Sequence, residues 1–421
     1  MKRVVAMVFA VSAILFSDCS ESKENTGLTV ETLKADNALI YGTGGEVELR
    51  VDSYLEWTAE LVEADADLWV ALEKRTVAGG SDKVVIRTER NDTENDRTAT
   101  VRIGNGVNEH RVSFTQKRNI FDRKPLKIRR VSNSVGIRYD RRSLNRVVVI
   151  LPVPRSNLYQ DIVAWNSPNG ELKTASDGHT RYIRREFIDS SIPLSDDIFL
   201  EERFTVRNYS IEVDFDAVTP QADIDRSSDV YRQYTRRNGD IIYPDLPALL
   251  PIADRLWKEA GEDKLRYARL CYEYVAENMR YLNPDTGLHP LREILANGGG
   301  DCGNQATVFI SLLRNKKIPA RHVVMIRPDR TFHVRSEFFL VGYGWIPVDV
   351  NAKNMNPSGD YFGKIFSDEI VLNNNIDFNV ALAYNQEYRV DILQNYAYWY
   401  WWSGGSEPKV EAFHSIREVF D

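Results

Sequence analysis

Hydrophobic and polar positions along this chain follow two different spacings. Between residues 27 and 225 apolar residues mostly alternate with polar ones, as on half-buried strands. Leu28-Thr29-Val30, Val47 to Val51, Val84 to Thr88, Thr100 to Ile103 and His110 to Phe114 are short segments of this kind, separated by Gly/Asn/Asp clusters. That punctuation predicts a β-sandwich over residues 27–118. A second β-rich block is predicted over 119–225. There Val147 to Val153 forms a hydrophobic strand ended by prolines, and Phe204 to Phe215 alternates cleanly. Past residue 225 helical intervals appear. Residues 246–282 read as lead-in helices, and Ala306, Phe309, Leu312 and Leu313 mark one buried face of a helix beginning after Asp301. Asp301 is a good N-cap and Gly298-Gly299-Gly300 a flexible entry. Cys271, inside one of the lead-in helices, reads as core.

The segment after that helix returns to alternation. From Phe332 to Val341, Phe332, Val334, Ser336 and Phe338 share one side, and His333, Arg335, Glu337 and Phe339 the other. Gly342-Tyr343-Gly344 marks a turn, and Trp345 to Asp349 returns. Two registers are open. A turn at Val341-Gly342 brings Asp349 opposite residues 333–334, and a later turn sets it against Glu337; a bulge is a third way to aim both side chains together.

Composition narrows the setting. Lys2-Arg3 followed by an uncharged run from Val4 to Phe16 reads as a secretory signal over residues 1–18, too short to span a bilayer. Residues 19–26 then form a polar tether. With Cys19, Cys271 and Cys302 the only cysteines, no disulfide framework is expected, so apolar cores must supply stability. Residues 117–146 carry eleven Lys/Arg against two Asp in a chain of net charge −7. Solvated strand faces explain this, and no nucleic-acid module fits. HExxH, paired CxxC, Walker and dinucleotide motifs are missing, and six scattered histidines make no metal site, so no cofactor is expected. Six aromatic residues between Tyr396 and Trp402 read as a strand closing a core or a seam.

The candidate chemistry lies within 48 residues, Cys302 to Asp349. In the first turn of a helix, Cys302 meets free amides and the positive end of the dipole, which favour a thiolate. His333 is the candidate base and Asp349 the group that orients it.

The run G-D-C-G-N-Q-A-x-x-F-x-x-L-L-R-x-x-x-I-P-A-R, followed by H-x-x-x-E-x-x-x-x-x-G-W-x-P-x-D, resembles the transglutaminase-like core of the papain-type cysteine enzymes, over about residues 230–400. The resemblance implies Cys302 as nucleophile, His333 as general base and acid, and Asp349 as orienter. Arg335 stands where many relatives carry Trp. The Cys302 amide is the first oxyanion donor, and Tyr281 matches a tyrosine often found as the second, with a core role as the alternative. Tyr281, Arg335 and Trp345 are thus the oxyanion or substrate candidates. The segment around Trp57, Trp69 and VVIRTERNDTENDRTATVRIG resembles a BACON domain, for which a carbohydrate or mucin ligand has been proposed; filled core positions and a spacer role need no ligand. The L-P-V-P…Y-Q run resembles the sandwich that precedes many bacterial transglutaminase-like cores. Phe16-Ser17-Asp18-Cys19 is similar to a bacterial lipobox, implying a lipid on Cys19 and a place in the cell envelope, held to the membrane by that lipid.

The expected architecture is therefore multidomain: two N-terminal all-β, immunoglobulin-like sandwiches, then an α+β papain-like core at 226–421. The expected function is an envelope-anchored cysteine enzyme that opens amide bonds of a protein or peptide through a thioester, as a protease or amidase. A protein-crosslinking transglutaminase and a binding module that keeps the fold without turnover stand as alternatives.

Overall fold

The computed structural model describes residues 27–419 except 35–38, 64–65, 74–75, 140–143, 193–197, 220–222, 284–286 and 328. The expected leader, residues 1–18, and Cys19 with its tether to residue 26 lie outside the described residues. Among the described residues no helix is long and apolar enough to cross a membrane.

The chain divides into two compact units. The first is built from residues 27–34, 46–87 and 99–113. Its strands include Leu28–Lys34, Gly45–Ser53, Trp57–Leu61, Gly80–Thr88, Arg97–Gly104 and Glu109–Gln116. Alternation puts Val47, Leu49, Val51, Val84, Ile86, Val101 and Ile103 inside. Trp57 is fully buried among the sandwich's inward residues, while Trp69 is half-buried. A buried Trp is worth about 3–5 kcal/mol against Ala, so Trp57 serves packing.

The second unit contains another sandwich and the α+β core. One sheet of the sandwich runs in the order Gln160–Asn166, Ile198–Val213, Phe121–Tyr139, Val410–Glu418; the other runs Glu171–Thr174, Arg181–Ile188, Leu144–Pro152, Ala397–Trp402. The sequence grouped residues 226–421 as one domain, and here the fold differs: the last two strands return to the sandwich. Their composition explains why. Tyr396, Tyr398 and Tyr400 pack with Val147, Val149 and Leu151, while Trp399 and Trp401 pack on the other side with Val148, Ile150, Phe378 and Val380. A strand with rings on both faces needs apolar partners on both, and Leu144–Pro152 offers them.

In the α+β core, helix Cys302–Asn315 packs on a sheet ordered Gly344–Val348, Phe332–Leu340, Ala320–Ile326, Ile370–Asn373, and helices Leu250–Ala260 and Lys264–Asn278 pack against that helix. Cys271 is buried in the Lys264–Asn278 helix as expected, and burial pushes its thiol pKa up. The Cys302–Asn315 helix is not amphipathic in place, because residues 303–314 are all buried. Its polar side chains find partners inside. Thr307 Oγ1 donates to the Gly303 carbonyl, and Arg314 donates to the Ala320 carbonyl and to Asn238 Oδ1.

Candidate active site

Three local devices position Tyr281, Cys302 and the His333–Asp349 pair. The first is the glycine run, which is an obligatory close approach rather than a flexible entry. Gly298 ends the Leu291–Asn297 helix at φ +65°, a conformation glycine adopts without strain. Gly299–Gly300 then pairs in parallel with Arg280–Tyr281. A Cβ on Gly299 would meet the Arg280 carbonyl oxygen at 2.1 Å. This tight ladder brings Tyr281 up to the start of the cysteine helix.

The second is the helix N-terminus. Asp301 Oδ1 accepts from the Asn304 amide at 2.9 Å, which caps the helix as expected. Cys302 is the first helical residue, half-buried with a free thiol.

The third is the hairpin. Leu340 pairs with Gly344 and Ser336 with Val348, a register between the two that the sequence left open. Asp349 would fall opposite Arg335 on that ladder, but it leaves the sheet. The chain turns there into the Val350–Met355 helix, with Asp349 as its N-cap. Oδ1 accepts from the Ala352 amide at 2.8 Å, and Oδ2 takes a 2.6 Å hydrogen bond from His333 Nε2. A change from strand to helix therefore does the aiming that a bulge was expected to do. With the carboxylate ionised and able only to accept, Nε2 carries the proton of that bond, and Nδ1 is left for the thiol.

His333 is 1% exposed. Burial opposes its charge, but the Asp349 carboxylate, the hydrogen bond to it and a hydrogen bond with Cys302 outweigh this and raise its pKa to about 10. Burial likewise pushes Asp349 up, and the charge of His333, that bond, the Ala352 amide and Arg335 hold it below the usual carboxylate value. The three groups thus converge.

The other candidates separate. Tyr281 is 44% exposed and stands near Cys302; partial desolvation, then the charges of Cys302 and Asp301, raise its pKa, so its hydroxyl keeps a proton to donate. Arg335, expected at a substrate groove, is buried instead. It binds Glu369 Oε2 at 2.9 Å and lies over the Tyr159 ring at 4.4 Å, while its charge acts on Asp349. Alternation puts it on the His333 side of the strand, facing inward. Trp345 also stays away from the triad. It pairs with Phe339, six residues along the strand from His333, and carries Arg321 over its ring at 3.9 Å.

Sequence reasoning missed the acids and phenol behind this row. Glu337 accepts from Tyr159 Oη at 2.6 Å and from Arg321 Nε at 2.7 Å, and Glu369 joins Arg335 to Arg327. The spacing His333-Arg335-Glu337 inside an apolar hairpin was the available signal, since three ionisable groups on one buried strand face must pair.

Residues 252–350 match the model of the transglutaminase-like superfamily, and residues 58–117 match that of BACON, described as a candidate N-terminal binding domain. The chain thus carries a transglutaminase-like core behind a BACON domain. A protein of Haemophilus influenzae, described only as uncharacterized, is 29% identical over 161 residues, which cover 31% of this chain and 42% of that protein. The match therefore spans less than half of that relative. Among solved structures, a chain from Cytophaga hutchinsonii described as a candidate cysteine protease aligns over 71% of this chain and 93% of its own, at TM-score 0.45 and 13% identity. A Parabacteroides distasonis chain described as a candidate protease aligns over 72% of this chain and 62% of its own, at TM-score 0.23 and 10% identity.

Proposed function

We propose that the core is a cysteine enzyme that opens amide bonds through a thioester on Cys302, with water as the favoured acceptor. One observation carries the reading: a buried imidazole, held protonated by Asp349, beside a thiol at a helix N-terminus. In the charge-separated form, the Cys302 sulfur has given its proton to His333 and attacks the amide carbonyl. In this reading the Cys302 amide and the Tyr281 hydroxyl donate to the developing oxyanion. His333 then returns the proton to the leaving nitrogen, the C–N bond breaks and the thioester remains. Water, deprotonated by His333, attacks the thioester and releases the acid and the thiol.

A crosslinking enzyme would use a lysine amine in that last step and would have to exclude water. Incubating the protein with a Gln-donor peptide and a labelled amine separates the two: free acid supports hydrolysis and conjugate supports transfer. The binding-only reading rested on Arg335 in place of Trp, but an arginine engaged with Glu369 and acting on Asp349 favours turnover.

The run before Cys19 supports an envelope lipoprotein, with the BACON domain as a spacer. Palmitate labelling should be lost in Cys19→Ser. Retention of label, or a glycan array bound by the isolated protein, would revise the anchor or the spacer role respectively.

A further inference from the structure

The run G-D-C-G-N-Q around Cys302 holds two buried amide side chains that the mechanism above does not use. Asn304 serves its own turn: it donates to Asp301 Oδ1 at 2.7 Å and accepts from the His289 amide at 2.9 Å. Gln305 is fully buried and reaches out of the helix instead. Its Nε2 donates to Asn354 Oδ1 at 3.2 Å, and its Oε1 accepts from Asn351 Nδ2 at 3.3 Å. Both partners belong to the Val350–Met355 helix that Asp349 caps. Asn354 Nδ2 in turn donates at 2.7 Å to the carbonyls of Ala276 and Met279.

The direction of this chain of hydrogen bonds is set at its end. Carbonyl oxygens only accept, so the nitrogen of Asn354 faces Ala276 and Met279 and its oxygen faces Gln305. The Ala276 carbonyl is open to a side chain because the Lys264–Asn278 helix stops there. The Arg280 amide that would have continued the helix donates to the Gly298 carbonyl at 3.0 Å, next to the ladder that carries Tyr281. Met279 stands just before Arg280–Tyr281, Gln305 one turn along the helix from Cys302, and Asn351 just after Asp349. One run of uncharged hydrogen bonds therefore joins the three segments that carry Tyr281, Cys302 and Asp349. None of these amides titrates, so a change in the pH behaviour of the thiol on removing them reports on the triad.

We propose that Gln305, together with Asn354, is a positioning residue: it holds the cysteine helix against the helix capped by Asp349, at the separation that lets His333 pair with Cys302. The inference rests on the acyl-enzyme reading and deepens it. Cutting the chain leaves buried amide and carbonyl groups without partners, and the two helices shift to relieve them. A displacement of about 1 Å is enough to lose roughly a hundredfold in a reaction that needs groups in near contact.

Alkylation of Cys302 by iodoacetamide on the full chain, followed by mass spectrometry across the pH range, tests the positioning role. Gln305→Met keeps the length of the side chain and removes both of its bonds. Asn354→Ala cuts the same chain at a half-buried position, and it decides the question if the first variant does not fold. Tyr267→Phe is the control, since it removes the 2.9 Å bond from Tyr267 Oη to the Leu312 carbonyl, between the Lys264–Asn278 helix and the cysteine helix but away from the triad. Both network variants should react roughly tenfold more slowly than the parent at neutral pH, close to free cysteine, which is mostly thiol there. Both should also lose the alkaline transition expected as His333 gives up its proton. The control should melt at a lower temperature and keep the parent's rate and transition. A folded network variant with the parent's rate and transition, or a control that loses them equally, overturns the positioning role alone. A parent thiol no more reactive than free cysteine overturns the acyl-enzyme reading and the positioning role with it.

Discussion

His333 and His322 stand on neighbouring strands of one sheet, both about 1% exposed, yet their surroundings drive them in opposite directions. Burial lowers His322 to about 3, with the nearby Arg314 cation adding to the effect. Its Nε2 meets the Thr307 hydroxyl at 3.1 Å, a hydrogen bond with the Gly303 backbone only partly offsets the burial, and its Nδ1 finds no partner among the described residues. His333 pays the same desolvation but has a carboxylate at 2.6 Å and a thiol beside it, and it ends near 10. The first is a neutral packing group. The second is held as an imidazolium beside the Cys302 sulfur. Partners, not burial, set the difference.

The comparison breaks most severely if the nucleophile is removed. Cys302→Ala should abolish covalent capture of acyl probes while circular dichroism and the melting temperature stay close to those of the parent. Residual full activity would contradict the mechanism.

Asp349→Asn comes next, because it leaves His333 with the environment of His322. Activity should fall by about 10³- to 10⁴-fold, measured as kcat/KM on a peptide amide. The variant should also be less stable to urea, because the His333 charge loses its buried partner. The sign can be stated. The raised His333 value contributes stability that is complete below about pH 6.5 and lost as pH rises through about 10. The lowered Asp349 value contributes stability present above about pH 3.9 and lost as pH falls through its folded value. The pair therefore stabilises the parent across the neutral range, and Asp349→Asn should flatten the dependence of unfolding free energy on pH at the alkaline end.

Tyr281→Phe should cost about ten- to a hundredfold in kcat with little change in iodoacetamide alkylation, since an oxyanion donor acts only once the carbonyl is attacked. His322→Asn should change the melting temperature by an amount corresponding to about 1–3 kcal/mol and leave the pH limits of alkylation where they are.

Much of this contrast could be read from the chain before the fold was known, and the reason is local. Cys302 after Asp301, and His333 within an alternating run, are positional signals carried by a few neighbouring residues. Asp349 was named as the partner of His333, but the route by which it arrives was not legible. It depends on where the strand Gly344–Val348 gives way to a helix, which the Tyr361 carbonyl helps to set by accepting from the Asp349 amide. Arg335 was misplaced for a related reason. Its partner Glu369 lies 34 residues along and its stacking ring, Tyr159, comes from the preceding sandwich. The last strand, Val410–Glu418, joined the Phe121–Tyr139 strand, a pairing of nearly three hundred residues' separation that alternation alone does not announce.

The account turns on an imidazolium that Asp349 sustains. The rate of Cys302 alkylation by iodoacetamide, followed by mass spectrometry from pH 5 to 11 in the parent and in Asp349→Asn, tests it most directly. The parent should react faster than free cysteine at neutral pH and show a transition near pH 10 as His333 loses its proton, and the variant should lose both features. Equal profiles in the two proteins, or a parent thiol no more reactive than free cysteine, would contradict it.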